Sequence, residues 1–239
     1  WGGKFEAARD NTLTRRLTEA GTFACPVEAR DLVLEGGAID TDGEGTLLTT
    51  EACLLNPNRN PGLDRTALEA CMNADLGVTR VLWLANGHLE GDDTDSHVDT
   101  LVRFCDPTTL AYVRCDDPAD PHYPALVAME DELHALRRAD GAPYRLIPLP
   151  WPGACHDPVD GHRLPATYAN FLIINGAVLV PVYGKDADSR ALAALGEAFP
   201  DRDIIPIDCL SVIRQHGSLH CLTMQLPRGS LSMQATPMT

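Results

Sequence analysis

The amino-acid sequence predicts an α/β fold assembled from a repeated ββαβ unit. Apolar runs occur in pairs joined by tight turns, each pair is followed by a stretch of helical periodicity, and one further apolar run closes the unit. The units recur at a spacing of roughly 65 residues, which is typical of a radial or stacked array. We therefore expect functional residues near the mouth of a central channel. The alternative is an ordinary α/β or α+β domain whose hairpins fall at even intervals by chance.

The first unit is defined by a hairpin signal. Asp42-Gly43 separates an apolar run at 32–37 from a second at 46–50, and Asp-Gly between such runs is a strong indication of a tight β-turn. A helix is predicted at 64–76 and a strand at Arg80–Leu84.

The second and third units repeat this order. For the second, the pattern predicts strands at 98–104 and 110–113, a helix at 122–139 and a strand at 144–148. For the third, it predicts strands at 168–174 and 178–182 around the turn Asn175-Gly176, a helix at 188–199 and a strand at 203–207. One further strand is predicted at 218–226.

Composition limits the function classes. The 239-residue chain is 44% hydrophobic, with no apolar run long enough to cross a membrane. Its net charge of −15 argues against nucleic acid as a partner. The charge suits a small cationic substrate, although solubility alone would explain it too.

The eight cysteines show no close pairing such as Cys-x-x-Cys, so neither a zinc site nor any other metal is predicted. The pattern favours a reducing, cytoplasmic location in which most cysteines are small buried residues. No secretory signal is recognisable, and because the sequence opens Trp-Gly-Gly-Lys without Met, we expect a fragment or a processed chain.

His97, Asp99 and Cys221 are the candidate chemical groups. A His and a carboxylate two residues apart on an extended segment would point to the same face. A distant Cys that follows small residues could join them through the fold, and it would need a lowered pKa to react. A solvated acidic loop, a calcium site or a His-x-Asp metal pair are the alternatives, although the spacing does not match an EF-hand.

Glu35 is a further candidate because it lies between apolar residues and two glycines. Buried carboxylates are generally paired or functional. An exposed position on an edge strand is the alternative.

Five sequence blocks resemble a known family. They are WGGK at 1–4, LEGGAIDTDGEGTLLTTEACLLNPNRNP at 34–61, GDDTDSHVDTLVRF at 91–104, TYANFLIINGAVLVP at 167–181 and HGSLHCLTMQLP at 216–227. They are similar to the agmatine deiminases, in the peptidyl-arginine-deiminase-like group of the pentein superfamily. The resemblance implies a five-bladed α/β propeller of ββαβ modules. It also implies hydrolysis of agmatine to N-carbamoylputrescine and ammonia without a metal or cofactor.

The resemblance also implies residue roles. Cys221 stands at the nucleophile, His97 at the general acid/base, Asp99 at the carboxylate that holds the guanidinium, and Glu35 at the Glu that contacts both the His and the substrate. The implied substrate-binding residues are Asp99, Glu35, Asp93, Gly217 and Trp1.

The sequence departs from the family pattern at three places. Ser96 replaces a Gly before the His, and Ser218 replaces a Gly ahead of the final His-Cys. The family's earlier Trp-x-Arg-Asp segment, whose Asp is a second guanidinium ligand, is not found. We therefore expect one pentein domain over 1–239 with an incomplete N-terminal blade, unstable or inactive on its own.

Other functions stay open at this point. A deiminase of free or peptidyl arginine would need an Arg for the substrate carboxylate, for which Arg59 and Arg103 are candidates. A truncated, non-catalytic pentein module is a further alternative. Whether the chain forms a homo-oligomer is not determined by the sequence.

Overall fold

The computed structural model describes residues 1–232 and contains three three-stranded sheets of identical topology. In each sheet the first two strands are antiparallel, and the third returns parallel to the second after a helical crossover. The predicted ββαβ repeat is therefore confirmed.

The first unit follows a short N-terminal helix, α1 (Leu13–Glu19). It comprises β1 (Ile39–Thr41), β2 (Thr46–Thr50), α2 (Glu51–Leu54), α3 (Arg65–Leu76) and β3 (Arg80–Leu84). Helix α3 begins where the Asp64 carboxylate accepts a hydrogen bond from the Ala67 amide at 2.9 Å. It ends at Gly77, whose φ of 70° provides the left-handed cap.

The second and third units are built in the same way. The second contains β4 (Val102–Asp106), β5 (Thr109–Val113), α4 (Tyr123–Ala135) and β6 (Arg145–Leu149). A short ribbon of β7 (Cys155–His156) and β8 (Arg163–Leu164) follows. The third unit contains β9 (Leu172–Ile174), β10 (Ala177–Val182), α5 (Asp188–Ala198) and β11 (Asp203–Asp208).

The protein has three hydrophobic clusters, and two of them combine residues of neighbouring units. Strands β2 and β5 are buried along their whole length because a sheet strand lies on each side and helices cover one face. Representative members of the clusters are Leu47, Leu68 and Met72 in the first, Leu110, Leu126 and Met129 in the second, and Phe171, Val180 and Leu195 in the third. The second cluster includes Leu82 and Leu84 of β3, and the third includes Ile147 and Leu149 of β6, so neighbouring units share their cores.

Arg103 joins the three units. Its side chain is buried on β4, with Nε 3.1 Å from the Asp40 carboxylate on β1. Its Nη1 donates to the carbonyl of Phe171, next to β9, at 3.0 Å. The Asp40 carboxylate also accepts from the Phe104 amide at 2.6 Å. One buried cation therefore connects the first strands of all three sheets.

Two predicted strands are wrong, and a third, predicted at 98–104, begins only at Val102. Residues 32–37 form a loop that enters a 3₁₀ turn at Gly36–Ala38, residues 98–100 form another, and His220–Leu222 replaces the strand predicted at 218–226. The period-2 argument for His97 and Asp99 therefore fails. The Thr100 hydroxyl donates to the His97 carbonyl at 2.8 Å, which favours the turn over an extended strand.

Among the described residues, no helix is both long enough and apolar enough to cross a bilayer.

Candidate active site

The candidate site is formed by the segments that precede the first strand of each sheet. Glu35 lies before β1, His97 and Asp99 lie before β4, and Asn170 lies before β9. Cys221 comes from the 3₁₀ turn after β11. The repeat thus brings equivalent positions of three units together, and the C-terminal turn adds the thiol.

Asp99 is the most buried member of the site, with 0% of its surface exposed. Its Oδ2 lies 2.8 Å from His220 Nδ1 and 3.7 Å from Cys221 Sγ. Within residues 1–232, its Oδ1 has no hydrogen-bond partner. Burial opposes ionisation, but His220 and the charge of Arg103 outweigh it and lower the pKa of Asp99. The side chain is therefore a carboxylate with one oxygen unengaged.

His97 is buried beside this carboxylate. Its Nε2 lies 3.6 Å from Glu35 Oε1 and has no hydrogen-bond partner in the described part of the chain. Its backbone amide donates to the Thr94 hydroxyl at 3.2 Å, so the turn fixes its position. A buried ring nitrogen of this kind can exchange a proton with a bound molecule.

Glu35 is held by Arg59. The Arg59 Nε donates to both Glu35 oxygens, at 2.9 and 3.0 Å. The same guanidinium contacts the Asp95 carboxylate at 2.7 Å and is itself fully buried. Burial would raise the pKa of Glu35, but the nearby His97 ring and the hydrogen bonds from Arg59 lower it well below its usual value. Glu35 is thus an anion that faces His97.

Gly37 is needed for the close approach of this loop. A Cβ at this position would lie 2.5 Å from His97 Nδ1 and 3.0 Å from the Asp99 carboxylate. At neighbouring Gly36 a Cβ would meet nothing within 4 Å. The second glycine of the pair is therefore a steric requirement of the site, whereas the first is not.

Ser96 adopts a backbone conformation that favours glycine. Its φ is +64°, and that of Asp95 is +63°. The Asp92 carboxylate accepts from the Ser96 amide at 2.8 Å, and the Thr50 hydroxyl donates to the Ser96 carbonyl at 2.8 Å. These contacts hold Ser96 in the left-handed conformation, at a position where the family that the sequence resembles has Gly.

Cys221 has an exposed residue surface but a sulfur that faces inward. Its Sγ lies 3.3 Å from Asn170 Nδ2 as well as 3.7 Å from Asp99. Burial of the sulfur and the negative charge of Asp99 raise the pKa of the Cys221 thiol to about 12. In the unliganded protein, the thiol is therefore protonated at neutral pH.

The Cys221 turn is compact. A Cβ on Gly217 would lie 3.0 Å from Cys221 Cβ, so this glycine permits the close packing of the turn. The Ser218 hydroxyl is paired with the Tyr183 hydroxyl at 2.8 Å and is buried in the third unit. The serine is thus part of the support of the turn.

Trp1 and Asp93 lie at the edge of the site. The Trp1 backbone nitrogen is 3.3 Å from Glu35 Oε1, and its indole is half-exposed against Phe5. Asp93 is partly exposed, and its carbonyl accepts from Lys4 Nζ at 2.8 Å. Burial raises the pKa of Asp93. The structure shows neither side chain in direct contact with His97, Asp99 or Cys221.

Sequence reasoning missed Asn170 and His220, and it weighed Arg59 only as a ligand for a substrate carboxylate. Asn170 lies 51 positions before Cys221 and is recognisable only through the fold. His220 adjoins Cys221, but its contact to Asp99 spans 121 positions. The one available signal was that Asn170, His220 and Arg59 all fall inside the resembling blocks.

A metal ion is disfavoured at the one cluster of donor atoms found among the described residues. Donor atoms of Glu35, Cys53 and His97 lie within 4.8 Å of one another. Burial raises the pKa of Cys53 to about 12, so its thiol stays protonated, and the Arg59 cation already occupies Glu35. The arrangement instead offers a carboxylate, a proton carrier and a thiol around one point.

Comparisons with known proteins identify the family. The family model described as Porphyromonas-type peptidyl-arginine deiminase matches residues 1–227. An agmatine deiminase from Pseudomonas fluorescens (strain SBW25) is 40% identical over 211 residues, covering 82% of this chain and 57% of that protein.

Solved structures extend the likeness to three dimensions. One from Porphyromonas gingivalis, whose assignment as an arginine deiminase is provisional, is 58% identical with a TM-score of 0.93, covering 97% of this chain and 69% of that one. A Cys-to-Ser agmatine deiminase of C. jejuni with substrate bound is 40% identical with a TM-score of 0.85, covering 92% and 64%. The chain thus spans about two thirds of the length of these relatives.

Proposed function

Since the chain belongs to the Porphyromonas-type peptidyl-arginine deiminase family, we propose that it carries the active site of an enzyme that hydrolyses agmatine to N-carbamoylputrescine and ammonia. One observation supports this most directly. A thiol that follows the third unit lies beside a carboxylate with an unengaged oxygen, which the second unit supplies together with a histidine that has an unengaged nitrogen. These are the groups needed to bind a guanidinium and attack its carbon.

The substrate guanidinium binds to Asp99 in this proposal. Its N–H groups donate to the unengaged Oδ1, which removes a buried unsatisfied acceptor. The 3.7 Å separation of Asp99 from Cys221 Sγ then places the central guanidinium carbon beside the sulfur. Glu35 faces His97 and keeps it oriented toward the bound substrate.

Binding of the cation also activates the thiol. Asp99 disfavours the Cys221 thiolate in the unliganded protein, and a guanidinium on Asp99 neutralises that effect. The Cys221 thiol gives its proton to His97, and the thiolate attacks the guanidinium carbon and forms a C–S bond. His97 then gives this proton to the departing nitrogen, the C–N bond breaks, and ammonia leaves. His97 then removes a proton from water, whose oxygen attacks the amidino-cysteine, and the C–S bond breaks to release the ureido product.

Paired cations support agmatine over arginine as the substrate. Arg59 is bound to Glu35 and Asp95, and Arg103 is bound to Asp40. Lys4 is bound to Asp95. Among residues 1–232, the cations that border the site are therefore already paired with carboxylates and are not available to bind a substrate carboxylate. An acidic border favours an amine instead.

We also propose that the three ββαβ units are blades of a five-bladed pentein propeller and that residues 1–239 form one catalytic domain. The similarity to the C. jejuni structure supports this, with a TM-score of 0.85. All eight cysteines are free thiols, which supports a reducing, cytoplasmic location.

The experiment is a direct comparison of substrates. The protein is incubated separately with agmatine, free arginine and a peptidyl-arginine, and the ureido product is measured by colorimetry. We expect kcat/KM for agmatine to exceed that for arginine by about 10²-fold or more, because an unpaired carboxylate beside acidic groups is costly. Faster turnover of either arginine substrate would contradict the proposal.

A further inference from the structure

Asn170 is the only residue with hydrogen bonds to both the Cys221 turn and the Asp99 segment among the contacts of residues 1–232. Its side chain has 0% of its surface exposed and lies just before β9. Its Oδ1 accepts from the amides of His220 and Cys221, at 2.8 and 3.3 Å. Its Nδ2 donates to the Asp99 carbonyl at 3.2 Å and to Cys221 Sγ at 3.3 Å.

We propose that Asn170 is a catalytic residue whose amide stabilises the Cys221 thiolate and fixes the sulfur against Asp99. This inference deepens the proposed function, because it concerns the same nucleophile. The two ends of the Asn170 side-chain amide have different roles. The carbonyl end holds two backbone amides of the turn, and the NH₂ end supplies a proton donor to the sulfur.

The donor matters because the surroundings of the sulfur otherwise oppose ionisation. A thiolate accepts hydrogen bonds more strongly than a thiol does, so a fixed donor favours the charged form. Asn170 is neutral, so it provides this without competing with a cationic substrate for Asp99. A Lys or Arg at this place would occupy the carboxylate itself.

The test measures the thiol without any substrate. Iodoacetamide alkylates Cys221 in proportion to its thiolate fraction, and peptide mass spectrometry separates it from the other seven cysteines, with exposed Cys25 as the internal reference. For Asn170→Asp, which keeps the acceptor and loses the donor, we expect the rate at pH 7.5 to fall about tenfold or more. Its rate-against-pH curve should move up by about one pH unit.

Asn175→Asp is the matched control, since it makes the same change in the exposed turn between β9 and β10. It should leave the Cys221 rate unchanged. If Asn170→Asp does not fold by circular dichroism, Asn170→Ala gives the same expectation without a new buried charge. If neither folds, the Asn170 side-chain amide resonance of the ¹⁵N-labelled unmodified protein should shift when Cys221 is alkylated. If Asn170 had only a structural role, the dependence of the Cys221 alkylation rate on pH, or the position of that resonance, would not change. This result would overturn the inference.

Agmatine turnover separates the inference from the proposed function. If the unmodified protein does not hydrolyse agmatine but Asn170→Asp still slows alkylation, the proposed function fails and the role of Asn170 stands. If the unmodified protein hydrolyses agmatine and Asn170→Asp has the same alkylation rate and the same kcat, the role of Asn170 is refuted and the proposed function stands.

Discussion

The site has two halves that differ in how they are held. The carboxylate half comprises Glu35, Arg59, His97 and Asp99; it is largely buried and connected by ion pairs across two units. The thiol half, residues 216–222, is a partly exposed turn held to the fold by Asn170, by the pairing of Ser218 with Tyr183 and by the contact of His220 with Asp99. The half that we propose to bind a cation is thus built into the core, while the half that we propose to react lies nearer the surface.

This difference predicts a division between stability and chemistry. Buried charges that lose their partners destabilise a protein strongly, whereas a truncation at an exposed turn has little effect on folding. Substitutions in the carboxylate half should therefore alter folding, binding and turnover together. Substitution of Cys221, whose residue surface is exposed, should alter turnover far more than folding.

Replacement of the nucleophile should have the largest effect. For Cys221→Ala we expect agmatine hydrolysis to fall by about 10⁴-fold or more, because no covalent intermediate can form. The free energy of unfolding should change by less than about 0.5 kcal/mol, and calorimetric binding of agmatine should be retained. Normal turnover would refute the nucleophile assignment, and loss of folding would refute the separation of the two halves.

Removal of the Asp99 charge should affect every property at once. Asp99→Asn deprives His220 and Arg103 of a nearby anion and removes the anchor of the guanidinium. We expect kcat/KM to fall by about 10²–10³-fold and agmatine affinity to fall with it. Steady-state kinetics and urea denaturation measure these. Unchanged affinity together with a lowered kcat would show that Asp99 acts on the reaction and not on binding.

The two adjacent glycines allow a matched test of packing. Gly37→Ala places a Cβ 2.5 Å from His97 Nδ1, whereas Gly36→Ala meets nothing within 4 Å. We expect Gly37→Ala to lose about 1–3 kcal/mol of stability and about 10–10²-fold in kcat. Gly36→Ala should be close to neutral in thermal unfolding and in turnover. Equal effects of the two changes would disprove the steric requirement.

Acid sensitivity should show the contribution of Glu35, the smallest of these effects. Its pKa is lowered in the folded protein from an ordinary value of 4.5, so its stabilisation is complete above that pH and is lost as the pH falls. Glu35→Gln should be less stable than the unmodified protein at pH 7, by about 1–3 kcal/mol. The difference should narrow toward pH 3 in urea denaturation. A constant difference would show that ionisation of Glu35 is not involved.

The sequence predicted the sheets better than the site loops. Hairpins with Asp42-Gly43 and Asn175-Gly176 were recognised because a turn has a local chemical signature. The apolar run at 32–37, which contains Glu35, predicts a strand where the structure has a loop. In the folded protein, burial of that loop against His97 and Asp99 overrides this local pattern.

The family resemblance identified His97, Asp99 and Cys221, and the structure brings Asp99 within 3.7 Å of the Cys221 sulfur. Neither composition nor periodicity could find Asn170 or the partners of Arg59. Their contacts join separate units, and a polar side chain in a loop has the same local signal whether it is solvated or buried. These long-range hydrogen bonds could thus be identified only from the three-dimensional structure.

Arg103 has a consequence for how the chain unfolds. Arrays of similar units commonly melt piece by piece, because each unit contacts only its neighbours. Here the buried Arg103 is paired with Asp40 from the first unit and with the Phe171 carbonyl from the third. Unfolding of either unit would therefore leave a charge without its partner in the interior of the second. Together with the hydrophobic clusters that neighbouring units share, this contact should couple the three sheets into a single cooperative transition.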